Sequence, residues 1–445
     1  MKYLLSLLFV LLLLGPVTGK PKPNILFIMA DDMGYADAGC YGQREIKTPQ
    51  IDRLASEGML FTQCYAGAPV CAPSRSVLLT GLHAGHTRVR GNTGKGGVVG
   101  LAGRPGRVPL EDEDITVAEI LRDAGYDTAA AGKWGLGEPG TSGVPNKQGF
   151  DQWFGYLNQK RAHSYYPEYL WSNDQKLELE GNKYGKKRTY SHDLITEFAL
   201  TFLNGDADKP FFLYVPYCIP HDRFEIPDLG IYEDKPWKQQ EKTYAAMITR
   251  MDRDIGRLLD KLEAKGLAEN TIVFFCSDKG AANRYEGRFD SSGMLRGRKR
   301  DMYEGGIRTP MIVRWPNRIS RGSVSDVVWS FTDFLATAAD LAGVEAPPND
   351  GVSLVSVLTG WQDRLPDRYL YWEFFEGGFK QAARWKNWKV IRPRPDADLQ
   401  LFNLAKDLGE AKDVAAENPD MVQQFEAYLN TARTESTAWP VNPKK

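Results

Sequence analysis

The sequence predicts an α/β protein: a large parallel or mixed sheet covered by helices on both faces, followed by a smaller α+β subdomain. Short apolar runs of strand character recur at 24–30, 128–131, 211–217, 271–276 and 310–313, and stripes of apolar residues at helical spacing lie between them. After about Leu365 the texture changes to short alternating segments, which separates a second unit from the first.

Taken in order, the chain opens with Met1-Lys2, a nearly uniform apolar run over 4–14, and small residues at Val17-Thr18-Gly19. This reads as an export signal over 1–19, with the mature protein periplasmic or secreted. The apolar run is short for a membrane span, and no cysteine follows it to carry a lipid, so no membrane partner is expected. Run 24–30 is the first strand, 115–121 a helix and 128–131 the next strand. The polar stretch 175–188 reads as a surface excursion. Strand 211–217 precedes the strongest helical stripe, Tyr244, Met247, Ile248, Met251, Ile255, Leu258, Leu259 and Leu262, which is core packing. Strands 271–276 and 310–313 and helix 331–341 complete a catalytic domain over 20–364. In the subdomain, 365–445, segments 369–375, 381–391 and 399–404 read as antiparallel strands and 419–432 as a terminal helix.

The balance of 56 basic and 57 acidic residues gives no reason to expect nucleic acid or a membrane surface as partner. Five cysteines form no disulfide framework; with Cys71 set aside, Cys40, Cys64, Cys218 and Cys276 allow two bridges at most.

The most informative segment is Cys71-Ala72-Pro73-Ser74-Arg75, continued by Ser76-Val77-Leu78-Leu79-Thr80-Gly81. It resembles the signature of the type I, formylglycine-dependent sulfatases, whose fold is alkaline phosphatase-like. In that family the cysteine is oxidised to an aldehyde whose hydrate is the nucleophile. The chemical need is plain: a sulfated serine would be left as a stubborn ester, whereas a geminal diol expels sulfate by C–O cleavage. Pro73 suits a first helical turn and would set Cys71 at a helix N-terminus, where the dipole favours an anion. The resemblance implies a transient formylglycine-generating or sulfatase-maturating enzyme as partner.

Other candidates fall at strand ends, where open α/β sheets bind ligands. Asp31-Asp32 follow the first strand and Asp278 follows 271–276. Converging carboxylates suit a hard divalent cation, calcium first and magnesium second. The resemblance of Ala30-Asp31-Asp32-Met33-Gly34-Tyr35 to the family's first-strand motif implies that Asp31, Asp32, Asp278 and the formylglycine at Cys71 hold it. His221, in Ile219-Pro220-His221, matches the general acid that protonates the departing oxygen. Lys133, in Gly132-Lys133-Trp134, and Lys299, in Leu295-Arg296-Gly297-Arg298-Lys299, match the lysines that contact sulfate. Arg75 matches the arginine that holds the hydrate, and Tyr303-Glu304-Gly305-Gly306-Ile307-Arg308 matches a supporting segment.

Three positions depart from the family pattern. Sulfatases commonly carry a histidine two residues beyond the lysine of Gly-Lys-Trp, where it takes a proton as the diol collapses; here the residue is Gly135, and His163, with His86 behind it, is the candidate replacement or substrate contact. Lys279 stands where an asparagine usually ligates the metal, and an ammonium has no acceptor. Three outcomes are open: Lys279 turns away and water fills the place, its charge replaces the metal, or the site has decayed. Phe375 stands where related bacterial enzymes carry a histidine near the substrate, and either shapes sugar choice or packs as a strand residue.

Tyr165, Tyr166, Tyr169 and Trp171, with Arg161, are a candidate sugar platform or core. His83, His86, Arg88 and Arg90 either reach the substrate or form a solvated loop. The expected activity is hydrolysis of sulfate esters on sugars of sulfated polysaccharides. Its rivals are a phosphonate or phosphate monoester hydrolase with the same modified cysteine, and an inactive sulfatase fold that only binds glycan.

Overall fold

The structure is a computed structural model describing residues 22–205, 208–282 and 287–441. The expected export segment, 1–19, lies outside the described residues. Strand β1 (Asn24–Ala30) is buried at every position. Leu26, Ile28 and Ala30 enter one core, while Ile25, Phe27 and Met29 enter the other. A strand covered on both faces needs an apolar residue at each position, which is why this run is continuously apolar.

The large sheet continues with β2 (Met59–Tyr65), β3 (Asp127–Lys133), β4 (Gln152–Tyr156), β5 (Tyr169–Ser172), β6 (Gln175–Glu178), β7 (Phe211–Pro216), β8 (Thr271–Ser277), β9 (Arg308–Arg314), β10 (Ser323–Ser325) and β11 (Trp329–Ser330). Among the described residues the order across it is β10-β2-β9-β8-β1-β7-β3-β4-β5-β6, with β11 beside β2. β8, β1, β7, β3 and β4 run parallel. β9 is antiparallel to both neighbours, and β5 and β6 add an antiparallel edge, so the sheet is mixed. The polar excursion at 175–188 begins as an edge strand, exposed at every position.

Helices α1 (Pro49–Glu57), α2 (Cys71–Thr80), α3 (Val117–Asp123), α4 (Ser191–Phe202), α5 (Gln239–Ala264) and α6 (Asp333–Ala342) cover the faces. Residues of α1, α4 and α5, such as Leu54, Ile195 and Leu258, join Leu26 and Ile28; Val77, Leu121 and Phe334 of α2, α3 and α6 join Phe27. Each such side chain contributes about 1.5–3 kcal/mol on burial. α3 begins after Thr116, whose hydroxyl and Glu119 form a reciprocal capping box.

The subdomain is an antiparallel sheet of β12 (Tyr369–Phe374), β13 (Lys380–Trp385), β14 (Trp388–Arg392) and β15 (Gln400–Asn403) in sequence order. Helix α7 (Pro419–Thr431) lays Phe425 and Leu429 on one face. The other face packs Leu370, Trp372 and Phe402 against Tyr65, Val70 and Ile307 of the large domain. Val70 directly precedes α2, so the subdomain is docked beside the start of the cysteine helix.

Segment 303–308 has the expected supporting role. Buried Glu304 takes a 2.6 Å hydrogen bond from Tyr65, a 3.0 Å bond from Lys389 and a 3.2 Å bond from Arg308. Burial opposes its charge, but Lys389 and Arg308 outweigh that and hold its pKa at about 2.

Candidate active site

The ends of parallel strands deliver the predicted residues to one place. Asp31 and Asp32 follow β1, Lys133 ends β3, His221 lies past β7 and Asp278 follows β8. Backbone bonds fix these ends together: Asp278 N–H donates to Ala30 O (3.0 Å) and Asp31 N–H to Ile219 O (3.1 Å). Asp32 has φ of 69°, a left-handed turn that aspartate tolerates better than most residues. Its N–H donates to Asp278 Oδ1 at 3.2 Å.

Cys71 opens α2, every residue of which is buried. Ser74 ties the first turn down: its hydroxyl donates to Asp278 O (2.5 Å) and accepts from Gly67 N–H (3.1 Å). Cys71 Sγ lies 3.5 Å from both Lys133 Nζ and Asp31 Oδ1. Burial and Asp31 oppose a thiolate, but Lys133 and Lys279 bring the thiol below its ordinary range. In the aldehyde hydrate expected at this position, oxygens would take the place of Sγ. A buried position at a helix N-terminus, between an ammonium and a carboxylate, fits that group.

Arg75, one turn further, donates from Nη1 to Lys133 O (2.7 Å) and from Nη2 to Asp278 Oδ2 (3.0 Å). It therefore ties α2 to β3 and β8. Lys133 Nζ bonds to Asp31 Oδ2. Lys299, only 11% exposed, places Nζ 2.7 Å from Asp32 Oδ2 and 2.9 Å from His221 Nε2.

His221 Nδ1 donates to Asp222, with the backbone oxygen at 2.5 Å and Oδ1 at 2.8 Å, which leaves Nε2 as the exchangeable position. In the neutral ring Nε2 accepts from Lys299; in the charged ring it faces Asp32 Oδ2 at 3.3 Å. Burial disfavours the imidazolium, but Asp32 and Asp31 outweigh burial and raise the pKa to about 9. His163 stacks on His221, ring centroids 3.8 Å apart. Burial, then Lys133 and His221, push its pKa down to about 2, so this second imidazole is neutral.

Asp31, Asp32, Cys71 and His221 each bring a ligand atom to within 4.8 Å of one another, and all are buried, as a candidate cation centre requires. The set also contains a cation of the chain's own. Lys279 Nζ lies 3.1 Å from Asp31 Oδ1, 2.5 Å from Asp32 Oδ1 and 2.8 Å from Asp278 Oδ1, with no exposure. An ammonium offers no lone pair and repels a metal, so these residues do not fit an additional divalent ion.

Several candidates lie outside this constellation. Tyr165 is fully buried, and its hydroxyl is within bonding distance of Cys218 O (2.9 Å) and His221 O (2.6 Å); it supports the His221 loop and is not a sugar platform. His86 pairs with Asp350 at 2.9 Å and stacks on His83, Arg88 pairs with Asp114 and Glu111, and buried Arg90 pairs with Glu373. These four are structural, because each polar head is already held. Phe375 packs on Phe379 and Trp439.

Its neighbour Glu376, which motif reading passed over, bonds Asn92 Nδ2 (2.8 Å) and Arg300 (2.8 Å), and Asn92 Oδ1 accepts from Ala72 N–H (3.4 Å). Gln159 was missed too. Gly135 has φ of 87°, and a Cβ there would lie 2.4 Å from Gln159 Cγ, so the side chain of Gln159 fills the space beside Gly135.

Comparison with known proteins gives a consistent picture. The family described as Sulfatase matches residues 23–344, and that described as N-sulphoglucosamine sulphohydrolase, C-terminal, matches 297–435. The chain is 34% identical to N-acetylgalactosamine-6-sulfatase of Canis lupus familiaris over 388 residues, 81% of this chain and 70% of that protein. It is 33% identical to Arylsulfatase of Hemicentrotus pulcherrimus over 359 residues, 76% of this chain and 62% of that protein. The crystal structure of Ps i-CgsB in complex with k-i-k-neocarrahexaose has a TM-score of 0.80 and 27% identity over 95% of each chain.

Proposed function

This chain belongs to the sulfatase family, and we propose that it hydrolyses sulfate esters on sugars of sulfated polysaccharides, with Cys71 converted to formylglycine. The observation that carries this reading is Cys71 at the N-terminus of a buried helix, with Lys133 and Asp31 each 3.5 Å from Sγ. When present, the aldehyde hydrate supplies a nucleophilic oxygen and a second hydroxyl through which sulfate is released.

The chain's own groups do the rest. Lys133 and Lys299 hold the charge of the sulfate oxygens, where fixed cations lower the barrier most. His221 gives its Nε2 proton to the departing sugar oxygen, with Asp222 holding Nδ1 in place. His163, neutral and stacked against it, is the imidazole nearest to the role that Gly135 cannot fill, and its low basicity suits it to holding His221 and substrate more than to storing a proton. Arg75 acts by positioning Lys133 and Asp278. The net reaction adds one water and yields a sugar hydroxyl and sulfate.

Two relatives support a sugar substrate: one is named for an N-acetylgalactosamine sulfate, and the other was crystallised with a neocarrahexaose. The leader-like 1–19 supports action outside the cytoplasm, and among the described residues no helix is long and apolar enough to cross a membrane. The test is sulfate release, by anion chromatography, from a panel of sulfated glycans, using protein whose Cys71 peptide mass proves the aldehyde. Release that disappears in Cys71→Ala supports the reading. Phosphate or phosphonate turnover without sulfate release, or glycan binding without any release, overturns it.

A further inference from the structure

We propose that the ammonium of Lys279 takes the place of the divalent cation, making this a metal-independent sulfatase. The sulfatase family uses a metal ion together with formylglycine. Here the three carboxylates that would hold the ion, Asp31, Asp32 and Asp278, already converge on Lys279 Nζ at 3.1, 2.5 and 2.8 Å. For the reaction the proposal rests on the sulfatase reading; for the ion it does not.

The direction of the side chain is set by its backbone. Gly280 N–H donates to Gly306 O at 3.1 Å, and a Cβ on Gly280 would lie 1.9 Å from Gly305 O. On the other side, Asp278 N–H is held by Ala30 O at 3.0 Å. Lys279 is thus pinned between β1 and the glycine pair, fully buried, and among the described residues its ion-pair partners all lie inside the cluster. Turning the ammonium away would strand a buried cation and leave mutually repelling carboxylates behind.

Charge balance points the same way. Apart from the His221–Asp222 pair, which balances itself when the ring is charged, Lys133, Lys279, Lys299 and Arg75 face Asp31, Asp32 and Asp278, four cations against three carboxylates. The single negative charge of a sulfate monoester restores neutrality. A divalent ion added to the same cluster would face a surplus of positive charge with no free carboxylate to receive it. What the exchange gives up is Lewis acidity, so the stabilisation of developing charge falls to Lys133 and Lys299.

The experiment counts ions rather than turnover. Mature protein purified without chelator is equilibrated with calcium or magnesium, desalted and analysed by plasma mass spectrometry, alongside melting curves in calcium and in EDTA. The expected result is below about 0.1 ion per chain and no shift in melting temperature on adding either reagent. Lys279→Asn under the same protocol should retain about one calcium per chain and melt higher in its presence. About one ion per wild-type chain, removed by EDTA together with thermal stability, overturns the proposal. If the variant does not fold, the wild-type ion count and EDTA series decide alone. A metal-free chain that releases no sulfate would sink the sulfatase reading and leave the role of Lys279 standing.

Discussion

Lys299 Nζ stands 2.9 Å from Nε2 of His221, and both face Oδ2 of Asp32, at 2.7 and 3.3 Å. A cation beside the proton that must be donated makes the ring a readier acid, while the carboxylate keeps it charged. With the His221 pKa raised to about 9, the acid form is full at neutral pH. Sulfate release should therefore be flat through neutrality and fall, about tenfold per pH unit, above about 9. The same sign governs stability. This group's contribution is complete below the unfolded histidine value of about 6.5 and is lost as pH rises through 9. Lys299→Gln should move the alkaline limb upward while lowering kcat about 10- to 1000-fold. A pH profile of kcat/KM that falls near neutrality would remove His221 from the acid role.

The acid role also predicts a dependence on the leaving group. A sugar alkoxide needs a proton, whereas a nitrophenolate leaves without one. His221→Gln should cost about 100- to 10,000-fold on a sugar sulfate and much less on nitrophenyl sulfate. Equal losses on both, measured with aldehyde-verified protein, would assign His221 to binding or structure instead.

Gly135→His should not restore the usual family pattern. The backbone there has φ of 87°, and a Cβ would lie 2.4 Å from Gln159 Cγ. Together the left-handed conformation and the overpacking cost about 2–5 kcal/mol. His163→Ala, by contrast, should leave melting nearly unchanged and lower kcat. The neutral state of His163 leaves no ionisation of its own between pH 4 and 8, so wild type should show no acid limb from it. An acid limb that disappears in His163→Ala would contradict this.

Strands β1, β7 and β8 were legible because sheets covered on both faces write continuous apolar runs; Asp31, Asp32, His221 and Asp278 were legible because they follow such runs, and Cys71, Arg75, Lys133 and Lys299 through the motifs around them. β2 was not: three of its seven residues are buried, and Thr62 and Gln63 break the pattern. β5 and β6 are four-residue strands, and β6, at the sheet edge, is exposed at every position, so neither writes a periodic apolar pattern. The stretch 175–188 therefore read only as a surface excursion, without its strand. Asn92 and Glu376 meet across 284 positions and belong to no motif, so only folding reveals their contact. Tyr165 stayed open between sugar platform and core because composition reports an aromatic but not which way its hydroxyl points. Lys279 was visible as an anomaly, and the three carboxylates around it give that anomaly a chemical meaning.

The docking of the subdomain yields the last prediction. Lys389 Nζ lies 3.0 Å from Glu304 Oε1 and 2.8 Å from Glu410 Oε1, all three side chains being buried. Glu304 keeps Arg308 and Tyr65 if the lysine is removed, whereas among the described residues the Glu410 carboxylate keeps only the N–H of Glu304. Lys389→Met therefore leaves two buried carboxylates facing each other, and should cost about 3–5 kcal/mol at pH 7. Burial already raises Glu410 above the ordinary carboxylate range despite Lys389. In the variant it should rise further, so Glu410 takes up a proton on mild acidification and the repulsion fades. Urea unfolding should therefore show a smaller difference from wild type at pH 5 than at pH 7. A deficit that is the same at both values would mean that lost packing of the lysine stem, and not the stranded carboxylate, sets the cost.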